Sequence, residues 1–257
     1  MKHISSQTFA LIFIVCFLAS IPLGIKAMHD KYASASTLAV AEQTPAPTPT
    51  PEPTPTPEAN PTKEFTQVDA SYFDDALMIG DSRTVGIMEY SGLNNACYFA
   101  SVGMSVYGLQ SAYLNVPGLG TVSLESLLTQ KTFGKIYIML GVNELGYDFS
   151  STVARFQALV TRLRELQPDA ILFVEANLHV AQRRSASDSV VNNVNIDRFN
   201  AEIAKLADQR TIFYIDINEL FDDETGNLRA DYTSDSTHIY AQYYQAWADW
   251  LCTKGVV

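Results

Sequence analysis

Residues 64–257 are predicted to fold as a doubly wound, three-layer α/β domain with a parallel sheet at its centre. Short, nearly continuous apolar runs alternate along this segment with longer stretches of helical periodicity. Continuous apolar runs are typical of parallel strands that are covered on both faces. The repeated order of strand and helix favours the same architecture, because parallel neighbours need a crossover connection between them.

Five short apolar runs supply the predicted strands. They are Ala76–Gly80, Cys97–Val102, Ile136–Leu140, Ile171–Val174 and Ile212–Ile215. Three stripes at helical spacing supply predicted helices. Their members are Val153, Phe156, Leu159, Val160, Leu163 and Leu166, then Ile196, Phe199, Ile203 and Leu206, and last Tyr240, Tyr244, Trp247 and Leu251. Pro168 follows the first stripe, at a position where helices commonly end.

The first 27 residues are predicted to be an export signal or an N-terminal membrane anchor. Lys2 precedes an uncharged apolar stretch of 17 residues, Phe9 to Ile25. That length is long for the core of a signal peptide and just enough to span a bilayer. Ala27 and Ala35 are small residues of the kind found at cleavage sites, so the sequence leaves open whether the segment is cleaved.

Residues 28–63 are predicted to be a disordered linker, because eight of the 11 prolines lie between Thr44 and Thr62. Closely spaced proline is incompatible with helix and sheet ladders and favours an extended polyproline II chain. At ~3.1 Å per residue the tract spans roughly 60 Å. Leader and linker together predict an extracytoplasmic domain, either secreted or held away from a membrane surface.

The net charge of −11 belongs to the predicted domain, because the first 63 residues carry four basic and four acidic side chains. Nucleic acid and anionic lipid repel an acidic domain, so neither is an expected partner. Contact with a membrane is expected only through the N-terminal segment. The domain is expected to be monomeric.

Neither a metal nor another cofactor is expected. Cys97 and Cys252 are far apart in the sequence, with no CxxC pair and no histidine at ligand spacing. No glycine pattern of the nucleotide-binding kinds follows a predicted strand. In an extracellular domain the two cysteines would be able to form one disulfide, and they are equally compatible with two buried free thiols.

Polar residues and glycines follow the ends of four predicted strands. Ser82 comes directly after the first strand, Gly103 after the second and Asn143 after the third. Asp235 and His238 come after the fifth strand and its loop. Because ligands of open α/β sheets bind outside the carboxyl ends of the strands, we expect these five residues on one edge of the sheet.

These blocks resemble the SGNH/GDSL hydrolase superfamily, whose name lists Ser, Gly, Asn and His in that order. The matching segments here are GDS at 80–82, the glycine at 103, GVNE at 141–144 and DSTH at 235–238. The resemblance covers residues 70–253. It implies a five-stranded parallel sheet in the flavodoxin-like order 2-1-3-4-5, within a three-layer α/β/α domain, and it implies hydrolysis of carboxylic esters.

The same residues suit acyl transfer chemically. A serine hydroxyl needs a base, which His238 would supply to Ser82, and Asp235 would orient the imidazole. By resemblance, the oxyanion donors are the backbone N–H groups of Ser82 and Gly103 and the side-chain amide of Asn143. Taken singly, each residue also has a plain explanation as a helix cap or turn residue. Their joint order after the strands favours a catalytic site.

The sequence departs from the family pattern at three positions. Arg83 stands where many members have Leu, Glu144 where Asp is common, and Ser236 where Gly is usual. Arg83 is expected either to point into the cleft or, with better support, to pair with an acid such as Glu89. None of the three departures removes a catalytic group.

The sequence therefore predicts an extracytoplasmic serine esterase that acts on carboxylic, most plausibly acetyl, esters of a cell-wall or extracellular polysaccharide. An acetyltransferase onto wall sugars and a non-catalytic polysaccharide-binding module on the same scaffold are the alternatives. His179, Arg183 and Arg184 lie on a polar loop after the fourth strand. That loop is a candidate lining for the substrate cleft, although surface arginines are usually only solvated. The acyl group and the polymer stay open.

Overall fold

The computed structural model describes residues 61–257 of the chain. The predicted leader, residues 1–27, and nearly all of the predicted linker, residues 28–63, lie outside the described residues. Within residues 61–257, every helix is too short or too polar to cross a lipid bilayer. The described residues form a central parallel sheet with helices on both faces and a small hairpin beside it.

Seven strands occur within residues 61–257. They are β1 (Ala76–Gly80), β2 (Cys97–Ala100), β3 (Tyr113–Val116), β4 (Gly120–Ser123), β5 (Lys135–Met139), β6 (Ile171–Glu175) and β7 (Ile212–Ile215). Five of them form one parallel sheet in the order β2-β1-β5-β6-β7. Counted along the chain, the sheet strands follow the order 2-1-3-4-5, so the predicted fold class is confirmed.

Seven α-helices occur within residues 61–257. They are α1 (Ser82–Tyr90), α2 (Leu124–Gln130), α3 (Phe149–Leu166), α4 (Gln182–Ser187), α5 (Asn193–Ala204), α6 (Asn218–Phe221) and α7 (Tyr244–Leu251). Short 3₁₀ helices occur at Ala70–Phe73, Leu109–Ser111, Val142–Glu144, Ala230–Tyr232, Ala241–Tyr243 and Cys252–Lys254. The last predicted stripe therefore begins before its α-helix, since Tyr240 is exposed and precedes the 3₁₀ turn.

Two apolar clusters cover the two faces of the sheet. One contains Leu77 and Ile79 of β1 together with side chains of α2, α3 and α5. The other contains Ala76 and Met78 of the same strand together with side chains of α1, α6 and α7. Side chains along a strand point alternately to opposite faces, so β1 contributes to both clusters and leaves no position for a polar side chain. This is why its sequence is continuously apolar.

The antiparallel hairpin of β3 and β4, which lies between β2 and α2, is absent from the five predicted strands. Pro117 and Gly118 form its turn, and Gly118 and Gly120 both have positive φ. Proline followed by glycine between two strand-like runs is a recognised turn signal, so the sequence did contain a clue. Ser123 then caps α2 by accepting a hydrogen bond from the Ser126 backbone N–H.

The two cysteines of the described segment are both free thiols. Cys97 packs against the apolar cluster on one face of the sheet, and Cys252 packs against the cluster on the other face. Burial raises the pKa of each thiol. The sequence left open whether Cys97 and Cys252 form a disulfide, and in the structure they do not.

Candidate active site

Ser82 lies at the turn from β1 into α1, at the carboxyl edge of the sheet. Asp81 caps α1, and its side chain accepts a hydrogen bond from the Arg83 backbone N–H at 3.0 Å. The turn requires glycine at position 80, because a Cβ at Gly80 would lie 1.9 Å from Thr84 Oγ1. Ser82 is thus the first residue of the helix, where free N–H groups favour a negatively charged atom.

The side chains of Ser82, His238 and Asp235 form a hydrogen-bonded chain. Ser82 Oγ lies 2.9 Å from His238 Nε2, and His238 Nδ1 lies 2.7 Å from Asp235 Oδ2. Because the carboxylate accepts the proton on Nδ1, Nε2 is left to accept the serine hydroxyl proton. The fold brings together a serine and a histidine that are 156 positions apart in the sequence.

Asp235 is held in its orientation by its own turn. Its Oδ1 accepts hydrogen bonds from the backbone N–H groups of Thr237 at 2.9 Å and His238 at 2.8 Å. Burial opposes ionisation of Asp235, but the hydrogen bonds from His238 and Thr237 outweigh it and lower the pKa of the carboxyl. Ser236 has a φ of 67°, in the left-handed region that favours glycine, which accounts for the usual glycine at this position.

Asn143 lies beside the loop that contains Gly103. It belongs to the 3₁₀ turn Val142–Glu144 after β5, and its Nδ2 donates to the Met104 carbonyl at 2.9 Å. A longer contact of 3.5 Å joins the same Nδ2 to Asp81 Oδ2. Gly103 has a φ of 75°, and a Cβ there would meet no heavy atom within 4 Å. The backbone conformation therefore explains glycine at position 103.

Arg83 is buried, so the expectation that it points into the cleft is wrong. It pairs with an acid, as expected, but that acid is Asp81 and not Glu89. Its Nε donates to Asp81 Oδ1 at 2.9 Å, and its Nη2 contacts Asp81 Oδ2. Nη2 also donates to Asn177 Oδ1 at 3.1 Å. Asp81 is the helix cap, and the first turn brings Arg83 back towards it. The pair neutralises two charges that would be costly to bury separately.

His179 is a buried histidine, and its hydrogen bonds do not reach the predicted triad. Its Nδ1 lies 2.7 Å from Asp222 Oδ2, and its Nε2 lies 2.8 Å from Asp197 Oδ1. Burial alone would lower the pKa of His179, but the two carboxylates outweigh burial and raise it. Nowhere in residues 61–257 are three His, Cys, Asp or Glu side chains grouped so that they could hold a metal ion.

Arg184 lies on α4, not on a loop as expected, and it connects this helix to the turn that carries Asp235. Its guanidinium donates to Thr237 Oγ1 and lies 3.4 Å from Asp188 Oδ2. Arg184 and the neighbouring Arg183 line an open hollow of about 250 Å³ that Asp235 also borders. Of the three residues that were candidates for a cleft lining, these two therefore lie beside the predicted triad and His179 does not.

Glu144, which stands where Asp is common in the family, is a buried carboxyl beside Asn143. It is 1% exposed, and its Oε1 accepts the Val106 backbone N–H at 2.6 Å. Its Oε2 is buried without a hydrogen-bond partner among the described residues. Burial raises the pKa of Glu144 to about 7, although the Val106 N–H opposes the shift. Its position next to Asn143 was the one available signal in the sequence.

Comparisons with known proteins give a family match and several similar folds. Residues 78–246 match the GDSL-like Lipase/Acylhydrolase family. A comparison with curated proteins finds no match. A candidate platelet activating factor from Streptococcus pneumonia has a TM-score of 0.53 and 19% identity, over 69% of this chain and 81% of that one. A GDSL-like lipase from Bacteroides thetaiotaomicron has a TM-score of 0.51 and 14% identity, over 73% of this chain and 91% of that one.

A candidate acylhydrolase from Bacteroides fragilis is similar in the same way, with a TM-score of 0.51 and 13% identity over 68% of this chain and 83% of that one. At these identities the structural similarities establish the fold alone. The family match extends over residues 78–246, well over half of the 257 residues. It includes all five residues singled out in the sequence, from Ser82 to His238. The chain therefore belongs to the GDSL-like lipase/acylhydrolase family and is a serine ester hydrolase.

Proposed function

We propose that this chain is an extracytoplasmic esterase that removes acetyl groups from a cell-wall or extracellular polysaccharide, with Ser82, His238 and Asp235 as its catalytic triad. The observation that carries the proposal is the hydrogen-bonded chain in which Ser82 Oγ lies 2.9 Å from His238 Nε2 and His238 Nδ1 lies 2.7 Å from Asp235. Such a chain is what a serine needs to act as a nucleophile near neutral pH.

The reaction proceeds in two halves. Ser82 Oγ attacks the ester carbonyl while His238 Nε2 takes the hydroxyl proton, and the ionised Asp235 stabilises the imidazolium. Collapse of the tetrahedral intermediate breaks the bond to the alcohol oxygen, which leaves with the proton from His238. Water then attacks the acyl-enzyme with His238 again as base, which releases the carboxylic acid and restores the serine.

The negative oxygen of each intermediate is assigned to the N–H groups of Ser82 and Gly103 and to Asn143 Nδ2. One proton of Nδ2 is used by the Met104 carbonyl at 2.9 Å. The contact with Asp81 is 3.5 Å long, at the limit of hydrogen bonding, so the second proton is available to a bound oxyanion. Amide donors fixed before substrate binds need no reorganisation during the reaction.

Acetate release tests the activity and separates it from the alternatives. Purified full-length wild type and Ser82→Ala are compared on p-nitrophenyl acetate and on acetylated polysaccharide. We expect hydrolysis of both substrates by wild type and a loss of at least about 10⁴-fold in the variant, because the nucleophile is removed. Equal rates in the two proteins would favour a binding module. Transfer of acetate to an added sugar in preference to water would favour an acetyltransferase.

The proposed location rests on the predicted leader and linker. Cell fractionation followed by external protease treatment of intact cells tests it directly. We expect the chain in the membrane fraction or the medium, with residues 61–257 accessible from outside. Recovery of an untrimmed, protease-protected chain from the cytosol would contradict the proposed location without affecting the catalytic assignment.

A further inference from the structure

A stack of one arginine and two tyrosines lies beside the proposed oxyanion site. The rings of Tyr107 and Tyr147 are stacked with their centroids 5.0 Å apart and their planes inclined by 23°. The Arg155 guanidinium lies over the Tyr107 ring, 4.5 Å from its centroid. Tyr107 is therefore held between contacts to Tyr147 and to Arg155. Its Oη is also 3.1 Å from Thr152 Oγ1, which fixes the ring in its own plane.

The two tyrosines are attached to the two loops that carry the proposed oxyanion donors. Tyr107 follows Gly103 by four residues, and Tyr147 follows Asn143 by four residues. Four residues span at most about 14 Å, so the backbone of each tyrosine lies within that distance of Gly103 or Asn143. The Tyr147 backbone N–H donates to the Glu144 carbonyl at 2.8 Å, which holds the start of this segment in a tight turn.

Tyr147 presents a flat apolar surface to solvent. The residue is 62% exposed although one ring face rests on Tyr107. Because the Tyr147 ring already packs against Tyr107, it loses little conformational entropy when a ligand covers its outer face. Exposed aromatic rings on loops beside a catalytic centre commonly serve recognition. The residues on either side, Gly146 and Asp148, are themselves exposed, so the platform is open and has a polar rim.

A larger hollow begins next to this stack, because Val106 and Arg155 line it, but it is a poor candidate for the same role. It has a volume of about 530 Å³ and lies between the β3–β4 hairpin, α2 and α3. Its far end includes Leu128 and Leu166, near the amino ends of the strands, where Gln167 bonds to the Leu128 carbonyl. Neither Ser82 nor His238 lines it. The hollow therefore extends away from the proposed catalytic residues.

We infer that the outer face of Tyr147 is a subsite that stacks against a sugar ring of the substrate, next to the ring that carries the ester. This inference rests on the proposed function, because it names the part of an acylated carbohydrate that binds outside the catalytic centre. A pyranose ring offers an apolar C–H face for the tyrosine and hydroxyl groups for the polar rim. A long acyl chain would instead need an enclosed apolar channel, which an open platform does not provide.

Binding to an inactive protein tests this subsite independently of turnover. The full-length Ser82→Ala chain is titrated calorimetrically with O-acetylated N,N′-diacetylchitobiose and with triacetin, which carries acetyl esters but no sugar ring. We expect Tyr147→Ala in this background to weaken disaccharide binding by about 3- to 10-fold, because one stacking contact is lost. Tyr147→Trp is expected to keep the affinity, and triacetin binding is expected not to change.

Tyr113→Ala is the matched control, since Tyr113 is 68% exposed and lies on the β3–β4 hairpin, outside the stack. It is expected to leave the affinity for the disaccharide unchanged. Three results would overturn the inference: no binding of the disaccharide, equal affinity with and without Tyr147, or an equal loss for triacetin. If ring-dependent binding is found but wild type releases no acetate, the proposed function fails and the subsite stands.

Discussion

Glu144→Gln tests whether the protein keeps a carboxyl beside the proposed oxyanion site in its neutral form. Glu144 is 1% exposed, and its Oε2 lacks a hydrogen-bond partner among the described residues. Its Oε1 accepts the Val106 N–H at 2.6 Å, a bond that a glutamine carbonyl can keep. The substitution therefore preserves the shape and the contact to Val106 and removes the ability to ionise, while the amide NH2 that it places at Oε2 acts equally at every pH.

The magnitude follows from the pKa of Glu144, which burial raises from 4.5 to about 7. Between these pH values the folded chain holds a proton that the unfolded chain has lost, so raising the pH destabilises the fold. For pKa values of 4.5 unfolded and about 7 folded, the free energy of unfolding falls by about 2.5 kcal/mol between pH 5 and pH 8. Glutamine cannot ionise, so in the variant this residue does not lower the free energy of unfolding between pH 5 and pH 8.

Urea unfolding of full-length wild type and Glu144→Gln at pH 5 and pH 8 measures the effect. We expect the free energy of unfolding of the variant, relative to wild type, to be about 2.5 kcal/mol higher at pH 8 than at pH 5. Burial also raises the pKa of Glu175, to about 8. Glu175 is present in both proteins, so its contribution cancels when the variant is compared with wild type. A variant whose difference from wild type is the same at both pH values would refute the reasoning.

Three further predictions concern two of the proposed catalytic residues and the turn that precedes Asn143. Asp235→Asn should lower kcat on p-nitrophenyl acetate by about 10⁴-fold, because the amide no longer selects the required tautomer of His238, and a loss below tenfold would contradict the assignment. Asn143→Ala should lower kcat by about 10²–10³-fold with little change in KM, whereas a change in KM alone would exclude an oxyanion role. Gly141→Ala should destabilise the fold by about 2 kcal/mol or more, since Gly141 has a φ of 133° and a Cβ would lie 2.2 Å from Phe199 Cε1, and an unchanged melting temperature would disprove this.

The sheet could be predicted because parallel strands that are buried on both faces leave a continuous apolar signal. All five residues of Ala76–Gly80 are buried, and the observed strand has the predicted bounds. Strand ends are less certain because composition does not show where backbone pairing stops. The predicted strand Cys97–Val102 ends at Ala100, and Val102 is 78% exposed although it is apolar.

The proximity of Ser82 and His238 could be predicted from topology, since the carboxyl ends of parallel strands share one edge. The environments of Arg83 and Glu144 could not. Charged side chains are ordinarily exposed, and a sequence does not show which of them are buried with partners. Arg83 is buried only because its helix start aims it at Asp81, and Glu144 only because a distant loop brings the Val106 N–H to it.

The buried polar residues beneath the site connect the start of α1 to the loop that carries Asn143. Asp81 caps the helix and holds Arg83, whose guanidinium donates to Asn177 Oδ1 at 3.1 Å. The same Oδ1 accepts the Val142 backbone N–H at 3.1 Å, one residue before Asn143. The proposed nucleophile and the proposed oxyanion amide are therefore fixed relative to each other by a network that is satisfied before substrate binds. Electrostatic stabilisation depends on such preorganisation, so this network supports catalysis without touching the substrate.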